Sequence, residues 1–203
     1  NESYSFSLGK DDFFYYKDKF GEMKLPGPNV SGEFQLENIS AGIATLRSIK
    51  QLKIKNKHIK LGVTKIQSIG RLQEIINGKL KDLVKDNRIL IDGSHNPLGA
   101  KVLNNYLKGL NCNKHIILGM MNNKDHLKYI SYFKNIKTLT TIDIPNQPNS
   151  IKGKDLKNKL NNFKNIQYKK DIFEAIKSIP VKKNDLILIT GSLYLAGEIL
   201  NLN

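Results

Sequence analysis

The nine residues from Ile89 to Pro97, Ile-Leu-Ile-Asp-Gly-Ser-His-Asn-Pro, constrain this chain more than any other segment. Ile89, Leu90 and Ile91 form a continuous apolar run, the pattern of a strand buried on both faces of a parallel sheet, and Asp92-Gly93 ends it. Asn96 can cap a helix through its side-chain oxygen, Pro97 suits the first helical position, and Leu98 to Leu107 continue with apolar residues at helical spacing. A helix begun there turns its amino end to the same crevice as Asp92 and His95. Unpaired backbone N–H groups and the positive end of the dipole suit that crevice to an anion, and a carboxylate at the strand end can accept hydrogen bonds from ribose hydroxyls. His95 could donate to a phosphate or to a developing acyl phosphate. This is the layout of a nucleotide site. Its competitor is a plain turn, because Asp, Gly, Asn and Pro serve turns for dihedral reasons alone.

Periodicity places the segment within an alternating chain. Asp12 to Tyr16 and Glu22 to Leu25 predict short strands around a Lys-Asp-Lys-Phe-Gly turn, from their aromatics and alternation. Leu36, Ile39, Ile43, Leu46 and Ile49 recur at intervals of three and four and predict an amphipathic helix, with another through Ile59 to Ile66. Beyond a junction at Ser68-Ile69-Gly70-Arg71, strands are expected near Leu72 to Ile76, Leu80 to Val84, Arg88 to Ile91, His115 to Gly119, Lys137 to Ile142, Ile166 to Tyr168 and Asp185 to Thr190. Helices are expected at Pro97 to Leu107, Lys124 to Phe133, Lys154 to Asn161, Ile172 to Ser178 and Leu193 to Leu200. Such alternation predicts an α/β fold with a mostly parallel sheet covered by helices on both faces. The two prolines and flanking asparagines of Ile144 to Ser150 are loop chemistry.

Composition bounds the function classes. No run approaches the roughly 20 apolar residues of a membrane span, and no amino-terminal segment has signal-peptide character, so a cytoplasmic, membrane-free protein is expected. The single cysteine, Cys112, excludes an internal disulfide and a cysteine-based metal cage. A net charge of +15, from 33 Lys and Arg against 18 Asp and Glu, would alone point to a polyanion such as nucleic acid. The lysines are instead spread along the chain beside many asparagines, as in Lys50 to Lys57 and Lys152 to Lys159, with no basic and aromatic stripe. A lysine and asparagine bias on solvated faces accounts for that distribution, and attraction of polyanionic ligands is a secondary benefit. His58, His115 and His126 have no partner spacing for a metal site and read as structural, so no metal ligand is assigned.

Asp92 to Pro97 resembles the Asp-Gly-Ala-His-Asn-Pro signature of the folylpolyglutamate synthase and dihydrofolate synthase family, within the Mur-type ATP-dependent amide ligases. Four further segments agree in order. Gly32-Glu33-Phe34-Gln35-Leu36-Glu37-Asn38 is similar to the family's Gly-x-His-Gln-x-x-Asn element in the central ATPase domain, with Phe34 in place of His. Ile69-Gly70-Arg71-Leu72-Gln73 resembles the Pro-Gly-Arg-Leu-Glu segment at the junction to the carboxy-terminal domain, with Ile for Pro. Leu118 to Asp125 resembles a Gly-x-x-x-x-Lys-Asp strand-to-helix turn, and Leu188 to Glu198 the last strand and helix.

The resemblance implies that residues 1–66 are the carboxy-terminal part of a central ATP-binding ligase domain and that 67–203 are a Rossmann-like, Mur ligase-type carboxy-terminal domain. It implies an ATP-dependent amide ligase that joins L-glutamate to dihydropteroate, to a reduced folate, or to both, through an acyl phosphate. By residue-to-residue transfer, Asn38 would meet the adenine, Arg71 the phosphates, Asp92 the ribose, and His95 the phosphate or reacting acyl group, with Gly70 a hinge at the junction. The family's phosphate loop, Gly-x-x-x-x-Gly-Lys-Ser/Thr, is absent from these 203 residues, and family members carry that loop, the Mg2+ ligands and much of the folate site further toward the amino terminus. The chain is therefore expected to be the latter half of a ligase, inactive alone, and a monomer as is usual in the family.

Each transferred role has a bland competitor. Asn38 could be a solvated helix residue, Arg71 a structural ion-pair partner, and His95 a capping or satisfied buried histidine. Ser192 and Tyr194 lie where an amino acid could bind, although a helix start explains Ser192 equally well. Two other functions compete: a Mur-type ligase acting on a cell-wall precursor, and a basic nucleic-acid-binding module whose binding would weaken steeply with salt and ignore ATP.

Overall fold

The computed structural model describes residues 4–30 and 32–203, which form two compact units, Asn1–Ile69 and Gly70–Asn203. In the first unit, three antiparallel strands, β1 (Tyr4–Leu8), β2 (Phe14–Asp18) and β3 (Gly21–Leu25), lie in chain order with two helices, α1 (Glu33–Ser48) and α2 (Asn56–Thr64). Alternation drives the packing. Phe14 and Tyr16 of β2 sit opposite Leu25 and Met23 of β3, and all four are buried against Ile43 of α1 and Ile59 and Val63 of α2. Tyr16 is roofed by Arg47, whose guanidinium pairs with Asp18 at 3.2 Å. β1 was not expected from the sequence: its apolar Tyr4, Phe6 and Leu8 alternate with serines, and none of the three is fully buried.

The second unit is a six-stranded sheet in the order β4 (Gln73–Ile75), β5 (Arg88–Asp92), β9 (Leu186–Thr190), β6 (Lys114–Leu118), β7 (Ile136–Thr141), β8 (Ile166–Tyr168). Every neighbouring pair is parallel except β4 with β5. The helices are α3 (Lys79–Val84), α4 (Pro97–Lys108), α5 (His126–Ser131), α6 (Gly153–Lys159), α7 (Ile172–Ser178) and α8 (Leu193–Leu202). The expected α/β architecture with a mostly parallel, helix-covered sheet is what the chain adopts. Ile89, Ile91, Ile117, Ile187 and Ile189 turn one sheet face to α3, α7 and α8. Leu90, Ile116, Leu118 and Leu188, at the alternate positions and equally buried, line the opposite face. Among the described residues no helix is long and apolar enough to cross a membrane.

Lys79 to Val84 is a correction. The sequence predicted a strand from Leu80 to Val84, but the segment is helical. Its two buried residues, Leu80 and Val84, are one helical turn apart and pack with Ala175, Ile176 and Ile179. Six residues are too few for apolar spacing to separate one helical turn from a short strand. α5 is likewise shorter than expected, starting where Asp125 caps it by accepting from the Lys128 N–H at 3.0 Å.

At the amino ends of β6 and β9, His115 is fully buried and its ring nitrogens lie 2.8 Å from Thr138 Oγ1 and 3.2 Å from Asp185 Oδ2. The Asp185 carboxylate also accepts from the Lys182 N–H at 2.7 Å and the Asn113 amide at 2.9 Å. Burial works to raise the Asp185 pKa, but the Lys182 N–H, the Asn113 amide and the His115 ring outweigh it and hold the carboxyl below its ordinary value. A depressed folded-state pKa gives stability that is complete above the ordinary carboxylate range and is lost as pH falls through and below that range. Asp185→Asn is therefore expected to cost about 2 kcal/mol at neutral pH, with the gap from the parent narrowing on acidification below about pH 4. Urea denaturation across that range measures it, and a gap independent of pH would remove this role.

Candidate functional site

Parallel pairing of β5 with β9 sets Asp92 directly opposite Thr190 at the carboxyl ends of the two strands. The helices that follow these adjacent strands go to opposite faces. Leu195, Ala196 and Ile199 of α8 join the cluster on the Ile89 and Ile187 face, whereas Ala100, Leu103 and Leu107 of α4 are buried outside it. Two neighbouring parallel strands whose connections diverge leave a crevice beyond their carboxyl ends, the place where open α/β sheets bind ligands. The amino ends of both α4 and α8 open onto it, each contributing unpaired N–H groups and a partial positive charge.

Local chemistry accounts for both helix starts. Asn96 caps α4 by accepting from the Gly99 N–H at 2.8 Å, with Pro97 in the first turn, as the sequence predicted. Ser192 caps α8 by accepting from the Tyr194 N–H at 3.1 Å, so its hydroxyl serves the helix. Gly93 lies against Leu193 so closely that any Cβ at 93 would collide with that side chain. The two loops are thus packed backbone to side chain, and a side chain at 93 would have to push Leu193 aside at the base of the crevice.

Asp92 is almost fully buried, at 3% exposure. Its Oδ1 accepts from the Ser94 N–H at 2.8 Å and its Oδ2 from the Leu72 N–H at 3.0 Å. Two charge-assisted bonds offset the burial of the carboxylate, and each oxygen keeps one acceptor site. His95 is half-buried, with Nδ1 3.3 Å from the Gly93 carbonyl. A proton on Nδ1 donates to that carbonyl and leaves Nε2 as the nitrogen available to a ligand. Arg71, also half-buried, lies on the segment that Leu72 ties to Asp92. Arg71, Asp92 and His95 are therefore gathered at one end of the second unit. Asn38 belongs to the first unit, exposed on α1, and its amide donates to Gln35 Oε1 at 3.4 Å. Gln35 in turn donates to Ser68 Oγ at 2.9 Å and is the buried member of that pair.

Sequence reasoning missed the floor of the crevice. Ser94 Oγ lies 2.9 Å from the Tyr129 hydroxyl, which lies 2.8 Å from Thr190 Oγ1, and Ser94 and Thr190 are 3.4 Å apart. Three hydroxyls in a ring can each donate once and accept once, which satisfies all of them away from water. Burial pushes the fully enclosed Tyr129 phenol well above its ordinary pKa, so it remains a neutral donor. The Gly191 N–H donates to the Ser94 carbonyl at 3.1 Å and the Gly119 N–H to the Thr190 carbonyl at 3.2 Å, binding the ends of β5, β9 and β6 together. Tyr129 stands 35 residues from Ser94 and 61 from Thr190, and no local spacing announces such a contact.

Among the described residues, no group of three or more His, Cys, Asp or Glu side chains could hold a metal ion.

Residues 70–193 match the family described as Mur ligase, glutamate ligase domain. The fold is similar to that of Escherichia coli FolC in complex with DHPP and ADP, with a TM-score of 0.76 and 21% identity over 100% of this chain and 46% of that one. A Mycobacterium tuberculosis folylpolyglutamate synthase complexed with ADP and AMPPCP superposes with a TM-score of 0.82 at 16% identity, over 100% and 48%. A bifunctional folylpolyglutamate synthase/dihydrofolate synthase with Mn, AMPPNP and L-glutamate bound, of the kind also solved from Yersinia pestis, gives 0.76 at 17%, over 99% and 46%. The chain spans about half the length of each of these structures. No curated protein sequence matches it.

Removing one member of the hydroxyl ring tests its contribution. Tyr129→Phe preserves the ring's shape and leaves Ser94 and Thr190 at the long separation, so it is expected to cost about 1–2 kcal/mol in urea denaturation. A variant as stable as the parent would show that the three hydroxyls merely coexist.

Proposed function

Because the chain belongs to the Mur ligase family through its glutamate ligase domain, we propose that it is part of an ATP-dependent amide ligase that joins L-glutamate to dihydropteroate, to a reduced folate, or to both. The observation that carries this reading is the convergence of Arg71, Asp92, His95 and two helix amino termini at the divergence point between β5 and β9. The ligands of similar folds, ADP with DHPP in one case and AMPPNP with L-glutamate and Mn in another, support the same substrates. On this reading residues 1–66 close a central ATP-binding domain, residues 67–203 form the carboxy-terminal domain, and the protein is cytoplasmic and monomeric.

The chemistry needs no covalent protein intermediate. A carboxylate oxygen of the acceptor attacks the γ-phosphorus of ATP, the bond to the bridging oxygen breaks, and ADP departs with the electron pair. The glutamate nitrogen then adds to the acyl carbon, the carbon–oxygen bond to phosphate breaks, and the amine gives up a proton as the amide forms. Bound Mg2+ would screen the phosphate charge. The protein supplies placement and charge stabilisation. Arg71 meets the phosphates and Asn38 the adenine. Asp92 presents its remaining acceptor sites to the ribose hydroxyls. His95, with Nδ1 turned to the Gly93 carbonyl, points Nε2 at the phosphate or the developing acyl phosphate, next to the α4 amino end, and donates to it when Nε2 also carries a proton.

Labelled glutamate, ATP and magnesium with dihydropteroate or a reduced folate as separate acceptors test the reading, using protein translated from the complete coding region. Incorporation into either acceptor is expected, and His95→Ala is expected to lower kcat about 100-fold with a smaller change in the KM for ATP. Folded protein that incorporates no glutamate into either acceptor would refute the folate assignment.

A further inference from the structure

Arg71 is held between two residues in the left-handed region, Gly70 at φ 65° and Leu72 at φ 45°. Glycine adopts that conformation freely, but leucine does not, because its Cβ crowds the following carbonyl oxygen. Something must hold Leu72 there. Its side chain is buried and its N–H donates to Asp92 Oδ2 at 3.0 Å. The preceding turn is tied on both sides as well: the Gly70 N–H donates to Gln73 Oε1 at 2.8 Å, and the Gly70 carbonyl accepts from the Gly93 N–H at 2.7 Å. Gly70, Leu72 and Gln73 are each fixed to the end of β5 or to one another. Arg71, the residue they enclose, has no side-chain hydrogen bond or ion pair within its own unit among the described residues.

We infer that Asp92 is a positioning residue for Arg71, its carboxylate holding Leu72 in the left-handed conformation and so fixing the backbone from which the guanidinium projects. The inference rests on the proposed contact of Arg71 with phosphate. It goes beyond a ribose contact for Asp92, because both carboxylate oxygens are already engaged by backbone amides, one of them that of Leu72. Asparagine at position 92 keeps the shape but offers one carbonyl oxygen, and its amino group would face one of the two N–H donors.

Inorganic tripolyphosphate, which has phosphates and no ribose, separates the two roles when compared with ATP in wild-type protein from the complete coding region, Asp92→Asn, Arg71→Ala and the double variant. Positioning predicts that Asp92→Asn weakens tripolyphosphate about as far as Arg71→Ala does, and that the double variant is no weaker than Arg71→Ala alone. It also predicts that amide exchange at Leu72 in the nucleotide-free protein speeds up on the order of tenfold or more, while Ile116 to Leu118 in β6 stay protected. Should Asp92→Asn fail to fold, Gln73→Ala frees the other end of the turn without touching the buried carboxylate, and the same losses are expected at a smaller factor. Tripolyphosphate bound as tightly by Asp92→Asn as by wild type, with ATP weakened, overturns positioning in favour of a ribose contact alone. Additive losses in the double variant overturn it too. Wild-type protein that binds neither probe overturns the proposed function and this inference with it, a result distinct from those two.

Discussion

The Asp92 carboxylate, buried at the end of β5 and bonded through each oxygen to a backbone N–H, is the interaction on which the candidate site depends. One bond shapes the turn into Ser94 and so aims His95 and the start of α4. The other draws in Leu72 and with it the Arg71 segment, 20 residues earlier in the chain. A buried charge is tolerable only when its hydrogen-bonding capacity is used, and here that requirement is met by the two loops that frame the crevice. The same group that makes the crevice electronegative at one point therefore builds the scaffold that brings positive groups to it.

Around this anchor the sheet supplies rigidity. β5, β9 and β6 are buried on both faces, and their carboxyl ends are joined by the Ser94, Tyr129 and Thr190 hydroxyls and by two backbone hydrogen bonds, from the Gly191 N–H to the Ser94 carbonyl and from the Gly119 N–H to the Thr190 carbonyl. Nothing in this floor needs to touch a ligand to matter, since it keeps the helix amino termini of α4 and α8 in register. In the ligase reaction proposed above, positioning is the larger part of catalysis, because that transfer requires no covalent protein intermediate.

Much of this was legible in the chain itself. Apolar runs with no polar interruption, Ile89 to Ile91 and Leu186 to Ile189, announced doubly buried strands, and Asn96-Pro97 announced a helix start because capping and a missing N–H are local properties. What escaped was either short or distant. Lys79 to Val84 offered two buried residues one turn apart, which a strand pattern imitates. β1 has alternation without enough burial to mark it. The hydroxyl ring and the Leu72 to Asp92 bond join residues far apart in sequence, and their partners are ordinary residues with no spacing signal. The left-handed conformation of Leu72 was invisible for the same reason, since only tertiary contacts hold a leucine there.

Hydrogen–deuterium exchange of the protein translated from the complete coding region, with and without ADP, tests the central claim most directly. The account predicts that ADP slows exchange in residues 70–73 and 92–98, the two loops that Asp92 joins. Protection that leaves both segments unchanged while appearing elsewhere in residues 70–203 would contradict it.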